Sequence, residues 1–143
     1  MTAIRIRNID HVVFRVAELE RALKFYRDVL GCRVARRRDD LGMIHLRAGA
    51  AMIDLVDVNG KIGRRLGAPP GAEGRNVDHV SLRLEHFDEA GIRAHLEAHG
   101  VAPGEVKTLY GAEGDGPAMY IQDPDGNTVE LKGPVSGGSG VKT

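Results

Sequence analysis

Two histidines occupy equivalent places in an internal repeat. Residues 8–16 and 76–84 are identical at five positions, and each copy carries a histidine, His11 or His79, followed four residues later by an arginine. An imidazole can bind a divalent metal ion or exchange a proton near neutral pH. Two modules related by approximate twofold symmetry would bring equivalent residues together, so the repeat predicts joint chemistry for the two histidines.

Two carboxylates could complete such a site. Asp54 and Glu130 each lie between two aliphatic residues near the end of their module. Because side chains alternate faces along a strand, each carboxylate should point away from the buried aliphatic face, toward the face of the histidine. A divalent cation would offset the cost of burying these carboxylates, and Zn, Ni, Co, Mn and Fe(II) accept such ligands. The alternative is that the repeated arginines, Arg15 and Arg83, neutralise the two carboxylates as ion pairs.

The elements that must position these residues also repeat. Helices are predicted over residues 19–30 and 87–99, and each is ended by a glycine. Three short strands should follow each helix, over residues 33–37, 43–47 and 51–56 in the first copy and over residues 104–109, 118–122 and 127–131 in the second. The tight-turn sequence at residues 123–126 should join the last two strands as a hairpin. This order predicts an α+β fold of two βαβββ modules.

Length and composition predict a single domain over residues 1–133, with modules at residues 5–58 and 76–132. Residues 59–75 are rich in Gly and Pro and are not expected to form a regular element. A segment of this length fits either a lid over a site or a plain linker. The Ser- and Gly-rich residues 134–143 predict a disordered tail.

The bulk composition disfavours several classes of protein. The chain has 20 Lys and Arg and 20 Asp and Glu, and the resulting zero net charge argues against nucleic-acid or anionic-membrane binding. No apolar stretch is long enough to span a membrane, and the first residues contain no apolar signal core. Cys32 is the only cysteine, which excludes an intrachain disulfide and fits a reducing, cytoplasmic location.

Four separated motifs occur in a defined order along residues 7–132. They are Asp10-His11, residues 21–31, Asp78-His79 and residues 123–131. In these motifs the chain resembles the vicinal oxygen chelate superfamily, the group of glyoxalases, bleomycin-resistance proteins and dioxygenases. The resemblance implies a half-open barrel of paired βαβββ modules around one divalent metal ion. It implies His11, His79 and Glu130 as metal ligands, usually with a fourth ligand at position 54, where this chain has Asp54.

The motifs are most similar to those of lactoylglutathione lyase-like members. This resemblance implies a metal-dependent lyase or isomerase that converts a small oxygen-chelating substrate, such as a glutathione adduct, through a metal-bound enediolate. Glu130 would be the catalytic base, with Asp54 as the alternative. A fosfomycin-type thiol transferase, an acyl-coenzyme A epimerase and a non-catalytic drug-binding protein stay open as alternatives.

Four further side chains are candidate substrate contacts. Arg15 and Arg83 would bind anionic groups, and Tyr120 occupies the place of a phosphonate-contacting tyrosine in the fosfomycin-resistance relatives. His45 lies in a predicted strand from which it could face the cavity. Many relatives are dimers, so the resemblance also implies a homodimer.

Overall fold

The computed structural model describes residues 3–136 and divides the chain into two compact units, Met1–Gly71 and Ala72–Thr143. The strands are β1 (His11–Val16), β2 (Arg33–Arg38), β3 (Met43–Ala48) and β4 (Ala51–Asp57) in the first unit, and β5 (Val80–Arg83), β6 (Lys107–Gly111), β7 (Gly114–Gln122) and β8 (Thr128–Lys132) in the second. The helices are α1 (Leu19–Lys24), which a π-helical turn (Phe25–Val29) continues, and α2 (Glu89–Ala98). The predicted α+β fold class, with a βαβββ module in each unit, is confirmed.

The two sheets have the same topology. The strand order is β1-β4-β3-β2 in the first and β5-β8-β7-β6 in the second, and in each sheet only the first pair in that order is parallel. The first strand of each module therefore lies beside the last strand. In register, Val13 lies opposite Asp54 and Ser81 lies opposite Glu130. His11 precedes Val13 by two residues, and His79 precedes Ser81 by two residues. Each repeated histidine therefore lies on the same sheet face as the carboxylate of its module.

One face of the first sheet is apolar and packs against α1 and the π-helical turn. Its most buried side chains, all 0% exposed, are Val16, Ile44, Leu46 and Leu55. On the helical side Tyr26 is also fully buried, and its ring stacks on Phe14 with 5.8 Å between ring centroids. Burial of this surface is the main stabilising term of the unit. β1 thus has an apolar face, on which Phe14 and Val16 are buried, and an opposite face that carries His11 and Arg15.

The helix predicted over residues 19–30 changes type halfway. After α1 the chain widens into the π-helical turn, where the Leu30 N–H donates to the Phe25 carbonyl at 3.1 Å. Apolar periodicity cannot distinguish one such turn from a regular α-helical turn. The predicted glycine stop is confirmed, since Gly31 follows with φ of 76° and its N–H donates to the Arg27 carbonyl.

The second module departs from prediction mainly at its hairpin. β6 begins three residues later than the predicted strand over residues 104–109, and β7 begins at Gly114 rather than at residue 118. Gly111 pairs with Gly114 across a tight turn that extends both strands. The second helix also begins later than its predicted start at residue 87. α2 begins at Glu89, because the Asp88 carboxylate caps it by accepting a hydrogen bond from the Gly91 N–H.

The segment after β4 is not itself a regular element, but it contains one short helical turn. Gly63–Leu66 forms a 3-10 turn. The turn packs so closely on β4 that a Cβ added at Gly63 would lie 1.9 Å from the Asp57 carbonyl oxygen, which only glycine avoids.

The tail predicted over residues 134–143 falls largely outside the described residues, which end at Ser136. In the part that is described, the Ser136 N–H donates to the Asp115 carbonyl at 2.9 Å. Within residues 3–136, no helix combines the length and the apolar character needed to cross a bilayer.

Candidate metal centre

Each repeated histidine is oriented by the aspartate that precedes it. His11 Nδ1 lies 2.7 Å from Asp10 Oδ2, and His79 Nδ1 lies 2.8 Å from Asp78 Oδ2. A carboxylate at Nδ1 favours the tautomer with its proton on that nitrogen and leaves Nε2 as the donor for a metal ion. The Asp-His pairs of the sequence thus have a common physical role in both modules.

Neighbouring carboxylates raise the pKa of His11. The hydrogen bond to Asp10 raises the pKa of His11, desolvation opposes the rise, and the charges of Asp54 and Asp10 add to it. A metal ion must displace this proton from the protonated imidazole. Proton competition should therefore weaken metal binding through His11 progressively as the pH falls below that raised pKa, which metal titrations at decreasing pH would measure.

The buried carboxylate of the first module is Asp54, which is 4% exposed. His45 lies directly opposite it on β3, and His45 Nδ1 approaches Asp54 Oδ1 to 3.0 Å. That approach lacks hydrogen-bond alignment, so Asp54 Oδ1 is a buried oxygen without a hydrogen bond. A buried carboxylate oxygen left in this state favours a cationic partner.

The second module also has a histidine beside its buried carboxylate, and here it is the repeated histidine itself. His79 Nε2 lies 3.1 Å from Glu130 Oε1, and Glu130 is 5% exposed. Tyr120 lies opposite Glu130 on β7, and its ring meets the His79 ring edge-on with 5.2 Å between centroids. The structure therefore brings Tyr120 to the His79 and Glu130 pair.

A pocket of about 430 Å³ opens beside this pair within the second unit. Its lining residues are His79, Ser81, Arg83, Tyr110, Gly111, Ala112, Glu113, Glu130 and Lys132. Arg83 lines the pocket, and its guanidinium pairs with the Glu113 carboxylate. Lys132, at the end of β8, is a pocket residue that the sequence analysis missed.

Arg15 has a different environment from Arg83. Its guanidinium donates to the carbonyl oxygens of Gly63 at 3.0 Å and Ala68 at 3.2 Å, and also to that of Gly67. It thereby binds the segment after β4 to the sheet. Within residues 3–136, neither repeated arginine forms an ion pair with Asp54 or Glu130, so the ion-pair alternative is not observed.

The donor chemistry of the two modules fits a divalent metal ion. Each module presents one oriented imidazole and one buried carboxylate on a single sheet face, a donor set that suits Zn, Ni, Co, Mn or Fe(II). The Asp54 Oδ1 atom, which is buried without a hydrogen bond, also suits a metal ligand. Among the residues described, no group of three or more His, Cys, Asp or Glu side chains is close enough to hold a metal ion by itself.

Comparison with known proteins gives curated relatives of more than one activity. The chain is 31% identical to a probable chloroplastic lactoylglutathione lyase of Arabidopsis thaliana, over 90% of this chain and 37% of that protein. It is 26% identical to a catechol-2,3-dioxygenase of Bacillus subtilis, over 87% of this chain and 40% of that protein. The chain thus spans well under half the length of these two relatives. With a lactoylglutathione lyase of Haemophilus influenzae, 28% identity extends over 86% of this chain and 90% of the relative.

Solved structures share the fold. An integron cassette protein of Vibrio cholerae superposes with a TM-score of 0.70 and 27% identity, over 92% of this chain and 98% of that chain. The fosfomycin resistance protein of Mesorhizobium loti superposes with a TM-score of 0.65 at 15% identity, over 92% and 96% of the two chains. The family pattern itself matches residues 8–131, nearly the whole described length. The chain therefore belongs to the Glyoxalase/Bleomycin resistance protein/Dioxygenase superfamily.

Proposed function

We propose that this protein is a divalent-metal enzyme that isomerises a small substrate with two adjacent oxygens, as lactoylglutathione lyases do. The observation that carries the proposal is the duplicated constellation of an aspartate-oriented histidine and a buried carboxylate on one sheet face. The proposed ligands are His11, Asp54, His79 and Glu130. A bound ion of this class supplies Lewis-acid stabilisation of negative charge on substrate oxygens.

The chain's own residues would perform the proton transfer. Glu130 is the proposed base, which takes a proton from the carbon beside the substrate carbonyl and returns it to the neighbouring carbon. Its burial, on the strand between β5 and β7 in the second sheet, restricts the orientation of the carboxylate, and general-base catalysis requires such a positioned group. Asp54 is the alternative base, since it is equally buried and has an unbonded oxygen.

The remaining predicted contacts have unequal support. Arg83 lines the pocket and Tyr120 touches His79, which supports both as substrate contacts. His45 contacts Asp54 and could act on substrate or hold that carboxylate in place. Arg15 already donates to three backbone carbonyls and would have to release them to bind substrate.

The single cysteine supports a reducing, cytoplasmic location, and a homodimer is part of the same proposal.

A thiol transferase of the fosfomycin-resistance type is the second candidate. The position of Tyr120 against the His79 ring favours it, because a phenol there could donate to an anionic substrate oxygen. Such an enzyme would consume glutathione or another thiol in the presence of an epoxide, without isomerising an aldehyde adduct.

Turnover of the methylglyoxal–glutathione adduct tests the proposal. Metal-free protein loaded separately with Zn, Ni, Co, Mn or Fe(II) should form the thioester, detected by its ultraviolet absorbance, with at least one ion. The same preparations are assayed with fosfomycin plus glutathione. Thioester formation supports the isomerase. Consumption of glutathione in the fosfomycin assay, without thioester formation in the other assay, would indicate the transferase instead. No turnover in either assay, together with tight binding of bleomycin, would indicate a drug-binding protein.

A further inference from the structure

We infer that the pocket of the second module recognises an oxyanion, a carboxylate or phosphate group of the substrate, and that Lys132 is the residue that binds it. The inference deepens the proposed function and rests on it in one respect: Glu130 is assigned to the metal ion and is not available as the counter-ion of Lys132.

The first observation is a buried ammonium group in the wall of the pocket. Lys132 is 7% exposed and lines the cavity. Its Nζ donates one hydrogen bond, to the Gly114 carbonyl at 3.1 Å, although an ammonium group has three N–H donors. Over residues 3–136, no carboxylate lies within ion-pairing distance of it. Lysine is seldom buried without such a partner.

The second observation is that glycines keep the space that the lysine occupies. A Cβ added at Gly111 would lie 2.8 Å from Lys132 Cε and 3.1 Å from Lys132 Cδ, so a side chain there would displace the lysine. A Cβ added at Gly116 would meet the Pro134 carbonyl oxygen at 2.7 Å and Lys132 Nζ at 3.0 Å, so both the backbone and the lysine occupy the space beside that glycine. The β6–β7 hairpin therefore accommodates Lys132 in its present position.

The other charges of the pocket already have partners. The Arg83 guanidinium binds the Glu113 carboxylate, and Glu130 contacts His79. Lys132 is thus the pocket cation whose charge the protein leaves uncompensated. An ammonium group is a compact point charge that binds carboxylate and phosphate oxygens alike, so it selects an anionic group without fixing its geometry.

Binding of simple anions to the metal-free protein tests this inference without any turnover. The full chain, stripped of metal with a chelator and dialysed, is titrated with inorganic phosphate and, separately, with acetate, and the backbone amide signals of residues 111–114 are followed by NMR. Wild-type protein should bind at least one of the two anions in the millimolar range. Lys132→Met should weaken that binding at least tenfold, and Gly111→Ala should weaken it as well, because it displaces the ammonium group.

Lys107→Met is the matched control, because Lys107 is exposed on β6 and does not line the pocket. It should bind the anion as wild type does. Lys132→Met should also keep or raise the thermal midpoint, since it removes a buried charge, whereas a lysine with only a structural role would lower the midpoint when replaced. Equal anion binding by wild type and Lys132→Met, or no binding of either anion to wild type, would overturn the inference. Because the protein in this experiment contains no metal, either result would leave the proposed metal-dependent activity unaffected. That activity is tested separately by the turnover assays.

Discussion

Glu130→Gln should lower turnover of the aldehyde–glutathione adduct by about 10²–10⁴-fold, the range associated with loss of a general base. Glutamine has nearly the same shape and keeps one side-chain oxygen, so the buried position in β8 should stay filled and the protein should fold. The amide cannot accept the substrate proton at neutral pH. The expected loss is therefore in kcat, measured by initial rates at saturating metal ion, because Glu130→Gln also changes a proposed ligand.

Two further variants locate the base. Glu105→Gln changes an exposed glutamate that does not line the pocket, and its rate should match that of wild type. Asp54→Asn tests the alternative base in the same assay. Wild-type rates in Glu130→Gln, combined with a loss of the same size in Asp54→Asn, would transfer the role of base from Glu130 to Asp54.

Leu46→Ala should lower the free energy of unfolding by about 3 kcal/mol, within the range of about 2–5 kcal/mol measured for buried leucines. Leu46 is 0% exposed and sits in β3 between Val34 and Ile53, on the apolar face of the first sheet. Truncation removes apolar contacts and leaves a cavity that the strands cannot close, because backbone hydrogen bonds fix their spacing. Urea unfolding followed by circular dichroism measures the change.

Leu66→Ala provides the control for this change, because the same atoms are removed from a side chain that is 69% exposed. Its free energy of unfolding should stay within about 0.5 kcal/mol of wild type. Similar effects of the two variants would show that the apolar face of the first sheet is not the core that stabilises this unit.

The alternation of apolar and polar residues made the strands and their faces predictable. In β1 the side chains of Phe14 and Val16 are buried, and His11 faces the side of Asp54, because a strand has a two-residue period that sequence displays directly. The helix stop at Gly31 was predictable for a similarly local reason. The recurring Asp-His pairs also indicated the histidines, and the structure adds the reason, which is the contact of each aspartate with Nδ1.

Features that depend on contacts between distant segments were not predictable. Arg15 was expected to face substrate, but its partners are carbonyl groups of the 3-10 turn and the residues after it, whose conformation no local pattern encodes. Lys132 was missed because its burial depends on a distant segment, the β6–β7 hairpin, in which Gly111 leaves room for the lysine side chain. The small residues of that hairpin were the available signal.

Metal content per chain tests the central claim most directly. Protein loaded with Zn or Ni and then dialysed should retain about one ion per chain by elemental analysis, since one ion would occupy all four proposed ligands. His11→Ala and His79→Ala should each retain less than about a tenth of that amount, because removal of one ligand weakens such sites strongly. The His95 and His99 rings, whose centroids are 4.5 Å apart on the surface of the α2 region, could bind metal adventitiously. His95→Ala controls for that binding and should retain the full amount of metal. Full metal content in both His11→Ala and His79→Ala would contradict the account.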